Sequence, residues 1–457
     1  MKVHDLLTLT VSDVVLGGQA LVRHEGRVMF IDRGLPGDLV QARVTRIRRR
    51  WAEGRLESIL TNGPDRVPAA CPHVQRCGGC RLQDLDYAAQ CRLKERQVRE
   101  TLQHLAGIQD PPLRPIVPAP ATAGYRNKME FSFAPAEDGG PMLGLHERGT
   151  FDRVFALERC ILPSELTLAI VALTQRFARE RGWPAYHLRH HVGVVRHLVV
   201  RHLPHTGQCA VNLVAASDEL PGLGEWARSV AALSSEVKSV TLILNATRAH
   251  VATGDEERVL AGGPVIVERL LGLEFEATAA AFLQTNSTQA ESLYAAALEA
   301  ARLDGSETVL DLYCGTGTLT LLFARAAREA IGVENVEPAV AAAIRNAARN
   351  SIANARFECG ESRAVMRQWA RGERAGAPRP DVIVVDPPRA GLHPRVVFRV
   401  AERRPSRIVY VSCNPGTLAR DLKDFAGHGY VLDGITPFDM FPHTPHIECV
   451  ARLVPRL

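Results

Sequence analysis

In the last third of the chain, short apolar runs alternate with stretches whose apolar positions recur every three or four residues. The runs predict strands at 308–313, 330–334, 355–359, 381–386, 407–412 and 430–438, and the periodic stretches predict helices at 318–328, 338–350 and 415–425. Continuous apolar strands separated by helices imply a doubly wound parallel sheet covered on both faces, an α/β fold of Rossmann type. One further apolar segment, 446–453, follows a short proline-containing turn, so it is expected to pair antiparallel to the strand before it. The start of the chain has a different texture. Apolar and polar residues alternate at 7–11 and 26–31, broken by turn signals at Gly17-Gly18, Arg33-Gly34 and Pro36-Gly37-Asp38. A segment from 39 to 51 ends in Arg46-Ile47-Arg48-Arg49-Arg50-Trp51. These features predict a small β-barrel over 1–62.

Between these ends lies an α+β region, 63–275. It opens with a polar helical stretch at 84–105, followed by prolines at 111, 112, 115, 118 and 120, and 84–118 is expected to act as a linker packed on the catalytic part. A helix is predicted at 164–180 and a strand at 193–203. Around that strand, positions 187–205 hold six His and three Arg with no acid. Without carboxylates or tight paired spacing these histidines do not suggest a metal site; a basic, RNA-facing or plain surface strand is expected. The third domain is 276–457. Three domains agree with a length of 457 residues at roughly one domain per 150.

Composition refines this picture in two respects. The net charge is +5, and positions 1–60, with ten basic and seven acidic residues, hold more than half of it, which suits a nucleic-acid partner. No apolar run reaches the ~18 residues of a membrane span, and no apolar signal segment follows Met1, so a cytoplasmic address is expected. Ten cysteines then require a role other than disulfides. Cys71, Cys77 and Cys80 form C-x5-C-x2-C, and Cys160 stands ready as a distant fourth thiolate. Four thiolates suit zinc or an iron–sulfur cluster equally on spacing alone.

The first strand of the parallel sheet ends in Asp311-Leu312-Tyr313-Cys314-Gly315-Thr316-Gly317. The glycines admit a ligand to the backbone and the helix N-terminus. The third glycine of a dinucleotide fingerprint is missing, and Asp311 would repel a pyrophosphate. Glu334 closes the second strand, where a carboxylate can accept both ribose hydroxyls. A cationic nucleoside ligand, S-adenosylmethionine, fits better than NAD. The fourth strand ends in Asp386-Pro387-Pro388-Arg389, a stiff polar tip, and the fifth in Ser412-Cys413-Asn414-Pro415, offering a thiolate nucleophile over the same crevice. Glu448, opening an otherwise apolar strand, reads as a general base.

These pieces, in this order, resemble the RNA uracil-5-methyltransferase family, and specifically its ribosomal-RNA branch. The matching segments are the barrel, which resembles a TRAM domain, the four cysteines, Phe282-Leu283-Gln284-Thr285-Asn286, DLYCGTGTLTL at 311–321, GVE at 332–334, DPPRAG at 386–391, SCNPGTLARDL at 412–422 and HIECV at 446–450. The resemblance implies a [4Fe-4S] cluster on Cys71, Cys77, Cys80 and Cys160. It implies S-adenosyl-L-methionine and uracil sites lined by Gln284, Tyr313, Gly315, Gly317, Glu334 and Asp386. Cys413 would be the nucleophile, Glu448 the proton acceptor, and Asp386 the residue orienting uracil. The implied substrate is a uridine of 23S rRNA, with a tRNA uridine or, further off, a cytosine-5 reaction as alternatives. RNA contacts are expected from Arg48, Arg49, Arg50, Arg126, Lys128 and Arg389, and the protein is expected to be a monomer.

Overall fold

The computed structural model describes residues 1–278 and 281–456. The chain begins with strands β1 (Leu6–Thr10), β2 (Asp13–Val14), β3 (Ala20–His24), β4 (Arg27–Ile31), β5 (Leu39–Ile47) and β6 (Trp51–Thr61), which form one sheet in the order β1-β5-β6-β4-β3-β2. Alternate residues of β5 point inward, so Val40, Ala42 and Val44 join Val22, Met29 and Ile31 in a small core. The segment 39–51 spans β5 and the start of β6. The chain reverses at 48–50, so that Ile47 pairs with Ala52, and Arg48, Arg49 and Arg50 are exposed at a hairpin tip. Three consecutive cations repel one another and hydrate well, and a turn lets them do both.

Helix α1 (Tyr87–Thr101) starts at Asp86, whose side chain accepts from the Ala89 N–H, and closes in one π-helical turn, Leu102–Ala106. It lies against the far end of the chain. Lys94 Nζ donates to Asp439 at 2.6 Å, both fully buried, and the segment after α1 bridges Leu113 to Ile435 and Val117 to Phe438.

The central region contains β7 (Lys128–Pro135), β8 (Pro141–His146), β9 (Val154–Ala156), α2 (Glu165–Glu180), β10 (Val195–Leu203), β11 (Gln208–Ala215), α3 (Leu223–Ala232), β12 (Val237–Leu244) and β13 (Glu256–Gly262). Its sheet order is β13-β12-β11-β10-β7-β8-β9. The His- and Arg-rich strand, expected on a surface, is β10 in the middle of this sheet, and Arg196, His197 and Arg201 are buried. Its β-branched residues pack on both faces, and backbone carbonyls take up its cations. Arg196 donates to the carbonyls of Asn245, Thr247 and Ala249, and Arg201 to that of Ala281. Burial holds His197 down at about 3, so it is neutral at physiological pH.

A hairpin, β14 (Ile266–Leu270) with β15 (Leu273–Ala277), and helix α4 (Ser287–Ala301) lead into the last sheet. There β16 (Thr308–Leu312), α5 (Thr318–Ala324), β17 (Glu329–Glu334), α6 (Glu337–Arg349), β18 (Ala355–Cys359), α7 (Ser362–Arg371), β19 (Val382–Val385), α8 (Pro394–Glu402), β20 (Arg407–Ser412), α9 (Pro415–Gly427), β21 (Tyr430–Phe438) and β22 (Glu448–Pro455) alternate as the periodicity predicts. The order is β18-β17-β16-β19-β20-β22-β21, parallel through β20. Strand β22 inserts between β20 and β21, antiparallel to both. Among the described residues, no helix is long and apolar enough to cross a membrane.

Candidate active site

A cavity of about 620 Å³ opens at the C-terminal ends of β16, β17, β19 and β20, the place where open α/β sheets bind ligands. Gln284, Tyr313, Gly315, Glu334, Asp386, Arg389, Cys413 and Glu448 all line it. Gly317 stands just behind as the N-cap of α5, with φ of 83°. A Cβ there would meet Ala343 and Phe357 at 3.0 Å, so both backbone conformation and helix packing require glycine. Tyr313 also holds a left-handed φ of 70°, unusual for a side chain of that size.

Strand register explains the pairing of the two residues expected to do chemistry. Ser412 on β20 lies opposite Cys449 on β22. The next residue outward on each strand is Cys413 and Glu448, which brings the thiol and the carboxyl together at the sheet edge. The turn holding Cys413 is fixed by its neighbours. The Asn414 N–H donates to Ser412 Oγ at 3.2 Å, and the Asn414 side chain caps α9 while donating to the Arg389 carbonyl at 3.1 Å. Asp421, fully buried on α9, accepts from the Leu392 N–H and the Tyr410 hydroxyl, each at 2.7 Å. The loop from Asp386 to Leu392 is therefore fastened to the helix that follows Cys413.

The crevice floor is acidic, and its carboxyls are buried. Burial pushes Asp386 up to about 7. Burial, with Asp386 and Glu334 nearby, pushes Asp311 up to about 7 against the opposing hydrogen bond from Thr320. Glu448 is driven well above the ordinary carboxylate range by burial and then by Asp386, and Arg389 partly offsets this. Burial followed by Glu448 and Asp386 pushes the Cys413 thiol up to about 11, with Arg389 again opposing. Glu334 accepts from the backbone N–H groups of Gly315 (3.0 Å), Asn335 (2.8 Å) and Val336 (2.9 Å), which aims its carboxylate into the crevice. Glu361, Ser362 and Phe441 also line the cavity. Periodicity gave no sign of them, because each lies in a loop or at a helix start.

The four cysteines meet elsewhere. Cys71, Cys77, Cys80 and Cys160 line one cavity of about 250 Å³, with Arg126 and Met129 on its wall. All are free thiols, and burial with the other three raises Cys80 up to about 12. Among the described residues, no three Cys, His, Asp or Glu side chains sit close enough to hold a single metal ion. Lys128 is half-buried at the start of β7 beside Arg201, which adds to the burial that lowers its pKa.

An open parallel sheet with an inserted antiparallel strand, a glycine turn after its first strand and a carboxylate closing its second defines a class I methyltransferase. The comparisons name a narrower group. Residues 224–455 match the model of the tRNA (uracil-5-)-methyltransferase family. Proteins described as uncharacterized RNA methyltransferases are similar along nearly the whole chain. One, from Nitratidesulfovibrio vulgaris, is 40% identical, covering 98% of this chain and 95% of its own. Another, from Bacillus cereus, is 36% identical, covering 98% and 97%. The crystal structure of Pyrococcus abyssi tRNA (uracil-54, C5)-methyltransferase in complex with S-adenosyl-L-homocysteine superimposes with a TM-score of 0.79, at 29% identity, over 98% of this chain and 99% of that one. The chain belongs to the tRNA (uracil-5-)-methyltransferase family and is an RNA methyltransferase.

Proposed function

We propose that the protein transfers a methyl group from S-adenosylmethionine to C5 of a uridine in RNA, through a Cys413 adduct at uracil C6. The observation that carries this is the convergence of Cys413, Glu448 and Asp386 on one buried crevice whose other end presents Glu334 and the Gly315 turn. The S-adenosylhomocysteine in the Pyrococcus structure supports the choice of donor. Glu334 is suited to hold ribose hydroxyls, and the carboxyls of Asp311 and Asp386 suit a cationic sulfonium. The donor supplies an electrophilic methyl group.

Uracil C5 is a weak nucleophile until a thiolate adds at C6. The Cys413 Sγ–H proton passes to a neighbouring carboxylate, and sulfur bonds to C6. Electron density moves to C5 and O4, and C5 then displaces the methyl group from the donor's sulfonium, whose S–CH3 pair stays on sulfur as the neutral thioether leaves. Asp386 and Gln284 are placed to hold the N3–O4 edge as charge develops there. Glu448, made a stronger base in its carboxylate form by burial and the nearby Asp386, accepts the C5 proton, and the C6–sulfur bond breaks to free Cys413. The base must leave its stack to reach this depth.

The proposed substrate is a uridine of 23S rRNA. A tRNA T-loop uridine is the second reading, and one observation favours it. The Pyrococcus tRNA enzyme matches 98% of this chain, the N-terminal sheet and cysteine region included, so those parts do not separate the two RNAs. The four cysteines are proposed to hold a [4Fe-4S] cluster. A single zinc requires sulfurs about 2.3 Å from one point, whereas four thiols spaced around 250 Å³ suit a larger inorganic group. Iron and sulfide analysis of anaerobically purified protein tests this. Mapping 5-methyluridine in both RNAs from cells lacking the gene tests the substrate. For the chemistry, Glu448→Ala is expected to leave a denaturant-resistant protein–RNA adduct that Cys413→Ala abolishes; methylation retained by Cys413→Ala would exclude the mechanism.

A further inference from the structure

A second cavity, of about 450 Å³, opens where three parts of the chain meet. Its walls include Gln19 and Arg33 from the N-terminal sheet, Arg76 and Arg81 from the cysteine loop, and Glu147 and Arg148 from the turn after β8. Its charges do not cancel. Four guanidiniums face two carboxylates, Asp32 and Glu147. Glu147 is engaged by Arg76 at 2.6 Å and by Arg153 at 3.2 Å. Arg33 has Asp84 at 2.9 Å, but Asp84 is shared with Arg66 at 2.5 Å.

Among the described residues, neither Arg81 nor Arg148 is ion-paired. Arg81 donates to the Gly17 carbonyl, and Arg148 to those of Val74, Cys77 and Cys80.

This positive region continues toward the crevice. The backbone N–H groups of Arg81 and Leu82 both donate to the His443 carbonyl at 2.9 Å, in the loop that leads to Glu448. Within that loop His446 feels the charges of Arg389, Lys94, Arg126 and Arg81, which join burial in holding it down at about 4. Lys94 is neutralised by Asp439. Arg81, Arg126 and Arg389 thus all act on His446, and they line the second cavity, the cysteine cavity and the catalytic crevice respectively.

We infer that the second cavity binds a backbone phosphate of the RNA whose uridine enters the crevice, with Arg81 and Arg148 as its ligands. The inference rests on the RNA reading above. A phosphate supplies negative charge to the two guanidiniums that no carboxylate pairs among the described residues, and such contacts to the phosphate backbone dominate nucleic-acid affinity.

The test uses the full chain and fluorescein-labelled oligouridylate, titrated by anisotropy over a range of salt concentrations. Arg148 also holds the cysteine loop, so the informative variants are Arg81→Gln and the exposed Gln19→Glu, which puts a carboxylate in the cavity. Each is expected to weaken binding several-fold, and Arg81→Gln to make the slope of log K against log salt shallower by about 0.7. Arg176→Gln, on the outer face of α2, removes the same charge and is expected to change neither. Equal loss in Arg176→Gln, or none in Arg81→Gln, would overturn the assignment. Inorganic phosphate bound in an Arg81-dependent way, with oligouridylate affinity unchanged by Arg81→Gln, would make this a free-anion site and overturn it as well. Calorimetry with S-adenosylmethionine is expected to give unchanged affinity in both variants. A wild type that binds no oligouridylate and methylates no RNA would remove the functional reading itself, whereas loss confined to the variants supports the site.

Discussion

Replacing Asp421 with Asn should loosen the loop that carries Asp386 and Arg389 without changing any residue that lines the crevice. The carboxylate accepts from the Leu392 N–H and the Tyr410 hydroxyl at 2.7 Å each, and from Arg420 Nε at 2.8 Å. A hydrogen bond to a charged group contributes ~1.5–3 kcal/mol and a neutral one ~0.5–1.5 kcal/mol, so an amide acceptor weakens each buried bond by about 1 kcal/mol. Arg420 is half-exposed, so losing its pairing adds only ~0–1 kcal/mol. Of the two buried bonds only that of Leu392 ties the loop, since Tyr410 lies on β20, so the loop is released by about 1 kcal/mol, roughly fivefold in its opening equilibrium. Hydrogen exchange read by mass spectrometry on the peptide containing Leu392 should accelerate by that factor. Asp421→Ala leaves both buried donors without an acceptor, at ~1–3 kcal/mol each, and should open the loop further. Misplacing Asp386 relative to Cys413 should lower single-turnover methyl transfer by about tenfold or more. Faster exchange with unchanged methyl transfer would refute the coupling between loop and chemistry, and unchanged exchange would refute the energetics.

Donor affinity should depend on pH. Asp311 and Asp386 titrate at about 7 in the folded protein against 3.8 for a free aspartate. Between these values the folded state holds protons the unfolded chain has released, so these two groups lower stability as pH rises from about 4 to about 7 and change it little above. A cationic donor favours the ionised forms, so calorimetric affinity for S-adenosylmethionine should rise from about pH 6 to about pH 8, with proton release, and Asp386→Asn should flatten the rise. Lys94→Met strands a fully buried carboxylate on Asp439 and should cost ~3–5 kcal/mol, while Lys94→Met with Asp439→Leu should recover most of it. Thermal unfolding of the two variants checks this, and a neutral Lys94→Met would contradict it.

The parallel sheet was legible because each strand is buried on both faces and therefore written as an unbroken apolar run. The crevice was legible for the same reason. Asp386, Cys413 and Glu448 each interrupt such a run at its tip, where a polar side chain has nowhere to go but the ligand. The logic failed where charge was satisfied at a distance. Arg196 on β10 looks like a surface cation because its acceptors, the carbonyls of Asn245, Thr247 and Ala249, lie some fifty residues away in sequence. Lys94 finds Asp439 345 positions later, and nothing local marks either as buried. The basic end of β5 hid a turn, since Arg48, Arg49 and Arg50 contain neither glycine nor proline.

The insertion of β22 between β20 and β21 bears on how the enzyme comes into being. Synthesis runs in chain order, so the strand leading to Cys413 and the sheet's edge strand both emerge before the strand that must lie between them. Until residues 448–455 are made, β20 and β21 lack the strand that each pairs with on that side, and Cys413 has no Glu448 carboxyl beside it. The Cys413 thiol, the proposed nucleophile, is thus made first without Glu448 beside it, and the two meet only when the sheet's seam closes around the last strand.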